Sequence, residues 1–367
     1  MKKKKKLKYK KNKKKIKKSK KKKKKNMEQT TDTSESMLYV TFNQDASCFA
    51  IGTETGFRIY STSPFKDNFY RDMNGGIGII EMLNRTNILA LVGGGKNPKY
   101  APNKVIIWDD HQAKVIGELR FISYVKNVKL KRDKIFIVTE NKIYIFTFNT
   151  LELLIDFDTS NNPKGLIAVS SNNNNSILAF PDKDNVGSVM IKDFDNQKEQ
   201  KIDAHQNNLF CISLSEKGDF LATASEKGTL IRVFNTSNGD LIKELRRGTE
   251  KADIYSISFD IKCNFLAVSS DRKTIHIFNL KNEENENNKN QKSIFGKITN
   301  FFGMKSEYFN SEWSCIQFKI NDMKSICAFG KDNTFYAISS DGKFYHVGFD
   351  NKNKGECKKL LEKNIFN

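Results

Sequence analysis

The chain has 367 residues, 38% hydrophobic and 11% aromatic with 28 Phe, enough to bury a sizeable core, and a formal charge of +21. Nineteen lysines fall in residues 1–26 without an acid, leaving +2 for the other 341 positions, so the body is not a general nucleic-acid surface. The longest strictly apolar runs are like 88–92, five residues, far short of the ~20 that a membrane-spanning helix needs.

Residues 1–36 are predicted to be a disordered Lys-rich tail, because like charges at this density repel. No apolar h-region follows, which excludes a secretory signal. The tail serves either as an address or contact for nucleic acid or acidic lipid, or as a low-complexity extension like the Asn-rich stretches elsewhere. Cys48, Cys211, Cys263, Cys315, Cys327 and Cys357 are scattered with no C-x-x-C pair, which points to free thiols packed as small hydrophobes in a reducing compartment.

From residue 48 onward one pattern recurs: a short apolar strand, a polar turn, then an alternating strand ending in an aromatic or Ile. It occupies 48–60, 87–92 with 105–108, 134–138 with 143–146, 176–180 with 188–194, 220–234, 265–278, and 325–329 with 335–338. Successive ends lie 38 to 60 residues apart, the last step being the long one. A period near 40–45 residues is that of a four-stranded propeller blade, so the fold class is all-β, a seven-bladed β-propeller over 37–357, followed by a C-terminal tail at 358–367. Asn238-Gly239 reads as a hairpin turn. Gly93-Gly94-Gly95-Lys96 departs from a phosphate-binding P-loop, since Asn97 replaces Ser/Thr and no helix follows, and reads as a turn.

The strand at 241–248 closes on Arg246-Arg247. Side chains alternate along a strand, so adjacent arginines head separate pockets on its two sides, and Gly248 lets the chain bend away. Upstream stand His205, Thr223, Ser225, Gly228, Thr229 and Arg232; downstream stand Ser270, Thr274 and His276. Guanidinium, hydroxyl and imidazole groups together cradle phosphate, with Arg supplying a bidentate fork. The competing reading pairs the arginines with Glu226, Glu244, Glu250 or Asp271 and leaves the rest as blade-stabilising hydrogen bonds. The long step contains an insertion at 281–310, where Ile294, Phe295, Ile298, Phe301 and Phe302 fall at helical spacing. Gly296 and Gly303 each cost such a helix about 1 kcal/mol in water, which favours an amphipathic helix induced on a membrane over one formed alone. The alternative is a loop whose Phe side chains pack back on the blades.

Leu245-Arg246-Arg247-Gly248 resembles the Phe/Leu-Arg-Arg-Gly motif of the PROPPIN family of seven-bladed, phosphoinositide-binding propellers, and most resembles its WIPI subgroup with Leu. Supporting stretches are 42–45, 93–110, 162–165, 178–181, 204–205 and 222–232, and similarity runs from about residue 38 to 357. The resemblance implies one lipid pocket of His205, Thr223, Ser225, Gly228, Thr229, Arg232 and Arg246, and a second of Arg247, Gly248, Ser270, Thr274 and His276. The implied ligands are phosphatidylinositol 3-phosphate and phosphatidylinositol 3,5-bisphosphate. The insertion then enters the membrane from blade six. Asn43 and Asp45 match positions used to recruit an autophagy lipid-transfer protein, or are simply turn residues of the first blade. Arg272-Lys273 depart from the small or acidic residues usual there.

The expectation is therefore a monomeric, cytoplasmic, peripherally membrane-associated adaptor of phagophore, endosomal, vacuolar or organelle membranes. No cofactor, metal, enzymatic activity or specific nucleic acid is expected. The rival expectation is a basic-tailed scaffold of a nuclear or RNA-associated complex.

Overall fold

Strands that are apolar on both faces need covering layers above and below, and radial stacking of small sheets supplies them. The computed structural model describes residues 36–281, 311–321, 324–350 and 356–366. The Lys-rich tail, apart from Ser36, and the apolar positions of the insertion lie outside them.

Blade one comprises β1 (Met37–Phe42), β2 (Cys48–Thr53), β3 (Gly56–Thr62) and β4 (Phe65–Asp72). Blade two has β5 (Ile77–Met82), β6 (Ile88–Gly93), β7 (Lys104–Asp109) and β8 (Lys114–Arg120); blade three has β9 (Asn127–Leu130), β10 (Lys134–Val138), β11 (Lys142–Thr147) and β12 (Leu153–Asp158). Blade four has β13 (Ala168–Val169), β14 (Ile177–Pro181), β15 (Ser188–Asp193) and β16 (Lys198–Asp203); blade five has β17 (Leu209–Leu214), β18 (Phe220–Ser225), β19 (Leu230–Asn235) and β20 (Leu241–Arg246). Blade six has β21 (Ile254–Phe259), β22 (Phe265–Ser270) and β23 (Thr274–Asn279), then β24 (Glu312–Trp313), which leaves the blade, and β25 (Ile316–Lys319), which completes it. Blade seven has β26 (Ser325–Phe329), β27 (Thr334–Ser339), β28 (Lys343–Phe349) and β29 (Cys357–Asn364).

Within each blade, consecutive strands pair antiparallel. The second strands are the most apolar: β2 and β22 are buried at every residue, while outer strands such as β8 and β12 are mostly exposed. Apolar clusters fill the gaps between successive blades, as between two and three or five and six. Six of the seven repeated units are second–third strand hairpins. The seventh is one strand out of step, matching β26 and β27, because the inner strand of blade seven is as apolar as the second strands elsewhere. The Asn238-Gly239 turn joins β19 to β20 with Gly239 at φ 78°, a conformation glycine adopts without a Cβ clash. At Gly93-Gly94-Gly95-Lys96 the Lys96 N–H donates to the Glu54 carboxylate at 2.8 Å, so an acid occupies the turn.

The expected tail at 358–367 is corrected. β29 pairs with β28 along its length as the outer strand of blade seven, and Ile365 is buried. Its Lys-rich sequence reads as a tail because an outer strand needs little apolar content. Among the described residues no strand is shared between blade seven and blade one. Aromatic packing closes the ring instead: Phe344 stacks on Phe49 with centroids 5.5 Å apart and meets Phe65 at 4.9 Å. The Tyr60 hydroxyl donates to the Ile365 carbonyl at 2.8 Å across the same seam.

Candidate functional site

Strand parity distributes the polar residues of blade five. Thr223 lies opposite Arg232, Arg232 opposite Glu244, and Leu230 opposite Arg246, so Thr223, Arg232, Glu244 and Arg246 share one sheet face. His205, which follows β16, reaches that face and its Nε2 lies 2.9 Å from the Thr223 hydroxyl. Arg232 donates from Nε to Glu244 at 2.9 Å and from Nη1 to the Ala204 carbonyl at 2.7 Å. Its charge is therefore already compensated, and Thr223, fully buried, orients His205 from behind. Burial, then the nearby Arg232 charge, pushes the His205 pKa down to about 4, leaving a neutral imidazole near pH 7.

Arg246 is 5% exposed and donates from Nε to the Ser311 hydroxyl at 2.7 Å. Ser311 belongs to the segment returning from the insertion. That segment continues as β24, which pairs parallel with β20 and puts Trp313 beside Arg246. Lys243 holds it there through Glu312 at 2.7 Å.

Arg247 has the opposite parity and turns toward blade six. It is 6% exposed, and among the described residues its hydrogen bonds go to backbone carbonyls: Nε to Gly228 at 3.0 Å and Nη2 to Glu250. The expected carboxylate partners are engaged elsewhere, Glu244 with Arg232, Glu250 and Asp271 with Arg272, and Glu226 with Asn208. Burial, then the Arg272 charge, lowers the Arg247 pKa against the smaller opposing pull of Asp271 and Glu250. His276 is pushed down to about 4, first by burial and then by Arg247.

Register gathers the rest of the second pocket. His276 lies opposite Gln317 and Thr274 opposite Lys319, while the Ser314 hydroxyl bridges His276 Nδ1 at 3.0 Å and the Gln317 amide at 3.2 Å. Ser270 is buried and its hydroxyl accepts from the Arg272 N–H at 3.3 Å; the Thr274 hydroxyl donates to the Arg272 carbonyl at 3.3 Å. Gly228 has φ 58°, and a Cβ there would meet the Ala252 carbonyl oxygen at 1.8 Å. Gly228 and Thr229 act here through carbonyls that hold Arg247, with the Thr229 carbonyl accepting from the Arg247 N–H at 2.9 Å. A Cβ at Gly248 would meet nothing within 4 Å, so that glycine leaves open space beside the arginines.

Sequence reasoning missed Ser311, Ser314, Gln317 and Lys319. They follow the insertion, which destroys the spacing that would have flagged them; the signal available was the alternating 316–319 strand. Asn43 and Asp45 sit in the β1–β2 turn. The Asn43 side chain accepts from the Cys48 N–H at 2.9 Å and donates to the Asn84 carbonyl at 3.3 Å, and Asp45 accepts from the Ser47 hydroxyl at 2.5 Å. Asp45 is exposed; Asn43 is buried. Ile294, Phe295, Ile298, Phe301 and Phe302 lie outside the described residues.

Fold and site together define a seven-bladed β-propeller with a cluster of polar side chains on each flank of the fourth strand of blade five. Residues 36–365 match the PROPPIN family, and the chain belongs to it. It is 36% identical to Autophagy-related protein 18e of Arabidopsis thaliana over 90% of this chain and 88% of that protein. It is 33% identical to Autophagy-related protein 18 of Dictyostelium discoideum over 90% and 93%. Hsv2 of Kluyveromyces lactis superimposes with a TM-score of 0.73 at 27% identity, covering 90% of this chain and 100% of that one. KlAtg21, solved with the coiled-coil of AgAtg16, does so with a TM-score of 0.74 at 25% identity, over 90% and 99%. The chain thus stands with autophagy-related propellers of a phosphoinositide-binding, non-enzymatic family. Among the described residues no helix is long and apolar enough to cross a membrane.

Proposed function

We propose that this protein is a peripheral membrane adaptor that docks by its blade five–six rim on membranes carrying phosphatidylinositol 3-phosphate or phosphatidylinositol 3,5-bisphosphate. The carrying observation is Arg247: a buried cation whose side-chain hydrogen bonds among the described residues go to carbonyls, beside a neutral imidazole and next to open space at Gly248. A phosphate monoester brings negative charge directly against the guanidinium and accepts stronger, charge-assisted hydrogen bonds than a neutral carbonyl or water does. Arg247, Ser270, Thr274 and His276 take one headgroup. Arg246 and His205 take the second, with Thr223, Ser225, Gly228, Thr229 and Arg232 positioning the groups that meet it.

Two weak headgroup sites and the apolar insertion between β23 and β24 reinforce each other through effective concentration, so none suffices alone. The adaptor acts on cytoplasm-facing membranes in autophagosome formation or related organelle biogenesis. It recruits a lipid-transfer protein through the blade one to three side, where Asp45 is exposed and Asn43 shapes the turn. The coiled-coil complex of KlAtg21 supports a recruiting role in general terms.

The test is flotation of the purified chain with liposomes holding no phosphoinositide, the 3-phosphate, or the 3,5-bisphosphate. The intact protein, a deletion of residues 1–26 and the Arg246→Thr, Arg247→Thr double variant are compared. The expected result is binding that follows the 3-phosphorylated lipids, needs both arginines and survives the deletion. Binding that tracks bulk anionic charge and disappears with the tail overturns the pocket assignment in favour of a basic-tailed scaffold.

A further inference from the structure

We infer that Trp313 is a membrane-interface anchor of the first pocket, separate from the apolar residues of the insertion. This rests on the headgroup reading above and adds the depth and orientation at which that pocket meets the bilayer.

The argument starts from register. β24 extends the blade five sheet, and Trp313 is the direct partner of Arg246, so the two side chains lie side by side on the face that also carries Arg232 and Thr223. Arg246 is buried while Trp313 is 57% exposed, which places an indole over the outer lip of the pocket. Burying a Trp is among the largest apolar gains a side chain offers, and this exposed indole, unlike the other exposed apolar side chains, is paired in register with Arg246.

The surroundings select the bilayer over a protein partner. Ser311 and Ser314 flank the indole along the chain, and Lys319 and Gln317 lie on the next strand; none of these builds an apolar groove. An amphipathic ring that has hydroxyls, an amide and a cation beside it among the described residues matches the headgroup–acyl boundary, where Trp is enriched. The one carboxylate of β24, Glu312, is paired with Lys243 at 2.7 Å, so the strand presents little uncompensated negative charge to an anionic surface. A headgroup phosphate on Arg246 brings the acyl boundary to the neighbouring residue, and that residue is Trp313.

Tryptophan emission tests this directly. Trp108 is 9% exposed and bonded to Asp110, so it contributes a constant background, and Trp313→Phe supplies the blank. Vesicles of neutral phospholipid with the 3-phosphate lipid should shift the Trp313 emission to the blue, and shallowly brominated acyl chains should quench it. Trp313→Ala should weaken vesicle affinity roughly tenfold and Trp313→Phe less, with unchanged thermal unfolding because the side chain is exposed. Leu241→Ala, which removes a 51% exposed side chain at the far end of β20, should leave affinity unchanged. Flotation of the unaltered chain with an unmoved Trp313 spectrum and a Trp313→Ala affinity equal to it overturns this inference alone. Failure of the unaltered chain to float with these vesicles overturns the headgroup reading and this inference with it.

Discussion

Arg71 on blade one and Arg247 between blades five and six carry the same group to opposite ends. Arg71 forks onto Asp110, Nε to Oδ1 at 2.7 Å and Nη2 to Oδ2 at 2.9 Å, and that carboxylate raises its pKa. Arg247 is more deeply buried, is met by carbonyls, and has its pKa lowered. The first is a finished contact that serves the blade. The second has its side-chain hydrogen bonds to carbonyls among the described residues, with Asp271 and Glu250 acting on it only at range, so the cost of its burial is less fully offset. The two differ less in the arginine itself than in whether the fold sets a carboxylate directly against it.

The sharpest way to break this contrast is to remove each guanidinium. Arg247→Thr together with Arg246→Thr should reduce affinity for 3-phosphate vesicles more than about 100-fold while leaving circular dichroism unchanged. Arg71→Thr should do the reverse, costing about 1 kcal/mol in denaturant unfolding, since that pair is partly exposed, with vesicle affinity intact. Equal losses of binding in the two would erase the distinction.

Gly228→Ala sharpens it from the backbone side. The left-handed φ and the clash with the Ala252 carbonyl should displace the carbonyl that holds Arg247, lowering vesicle affinity about tenfold and stability by about 1–3 kcal/mol. Gly248→Ala, with no clash to relieve, should leave stability within about 0.5 kcal/mol.

The imidazoles give a smaller, pH-dependent signal. His205 and His276 are neutral in the folded chain, with pKa values pushed down to about 4 from 6.5, whereas the unfolded chain protonates both below about pH 6.5. The unfolded state therefore binds more protons between these limits, and stability falls as pH drops from about 6.5 toward 4. Between pH 7 and 5 the loss should be on the order of 2 kcal/mol, discounted because His205 is partly exposed. Chemical denaturation of the chain and its His205→Asn, His276→Asn variant should show that slope only in the former. Tyr60→Phe, at the ring seam, should cost about 1 kcal/mol through the lost bond to Ile365 and leave lipid binding untouched.

Much of this was legible in the residues. The apolar second strands repeat because each must be covered on both faces, which revealed seven blades, and the parity of Arg246 and Arg247 followed from their adjacency alone. Outer strands were less legible: β29 read as a tail because its one demand is backbone pairing. The partition of charge was not legible at all. Sequence spacing offered Glu244 and Glu250 to the arginines equally with Arg232 and Arg272, and only the folded geometry assigns them. The donors beyond the insertion were hidden because chain distance there no longer measures distance in space.

The parallel pairing of β24 with β20 has one more consequence. A strand whose chain belongs to blade six is bonded to blade five, so this joint is laced by backbone hydrogen bonds in addition to side-chain packing. The Arg246 and Arg247 seats then sit at a fixed pitch, like the jaws of a caliper. In the proposed docking, lipids diffusing in a fluid leaflet would settle into that spacing two at a time, whereas soluble inositol phosphates would pay the entropy of capture separately for each seat.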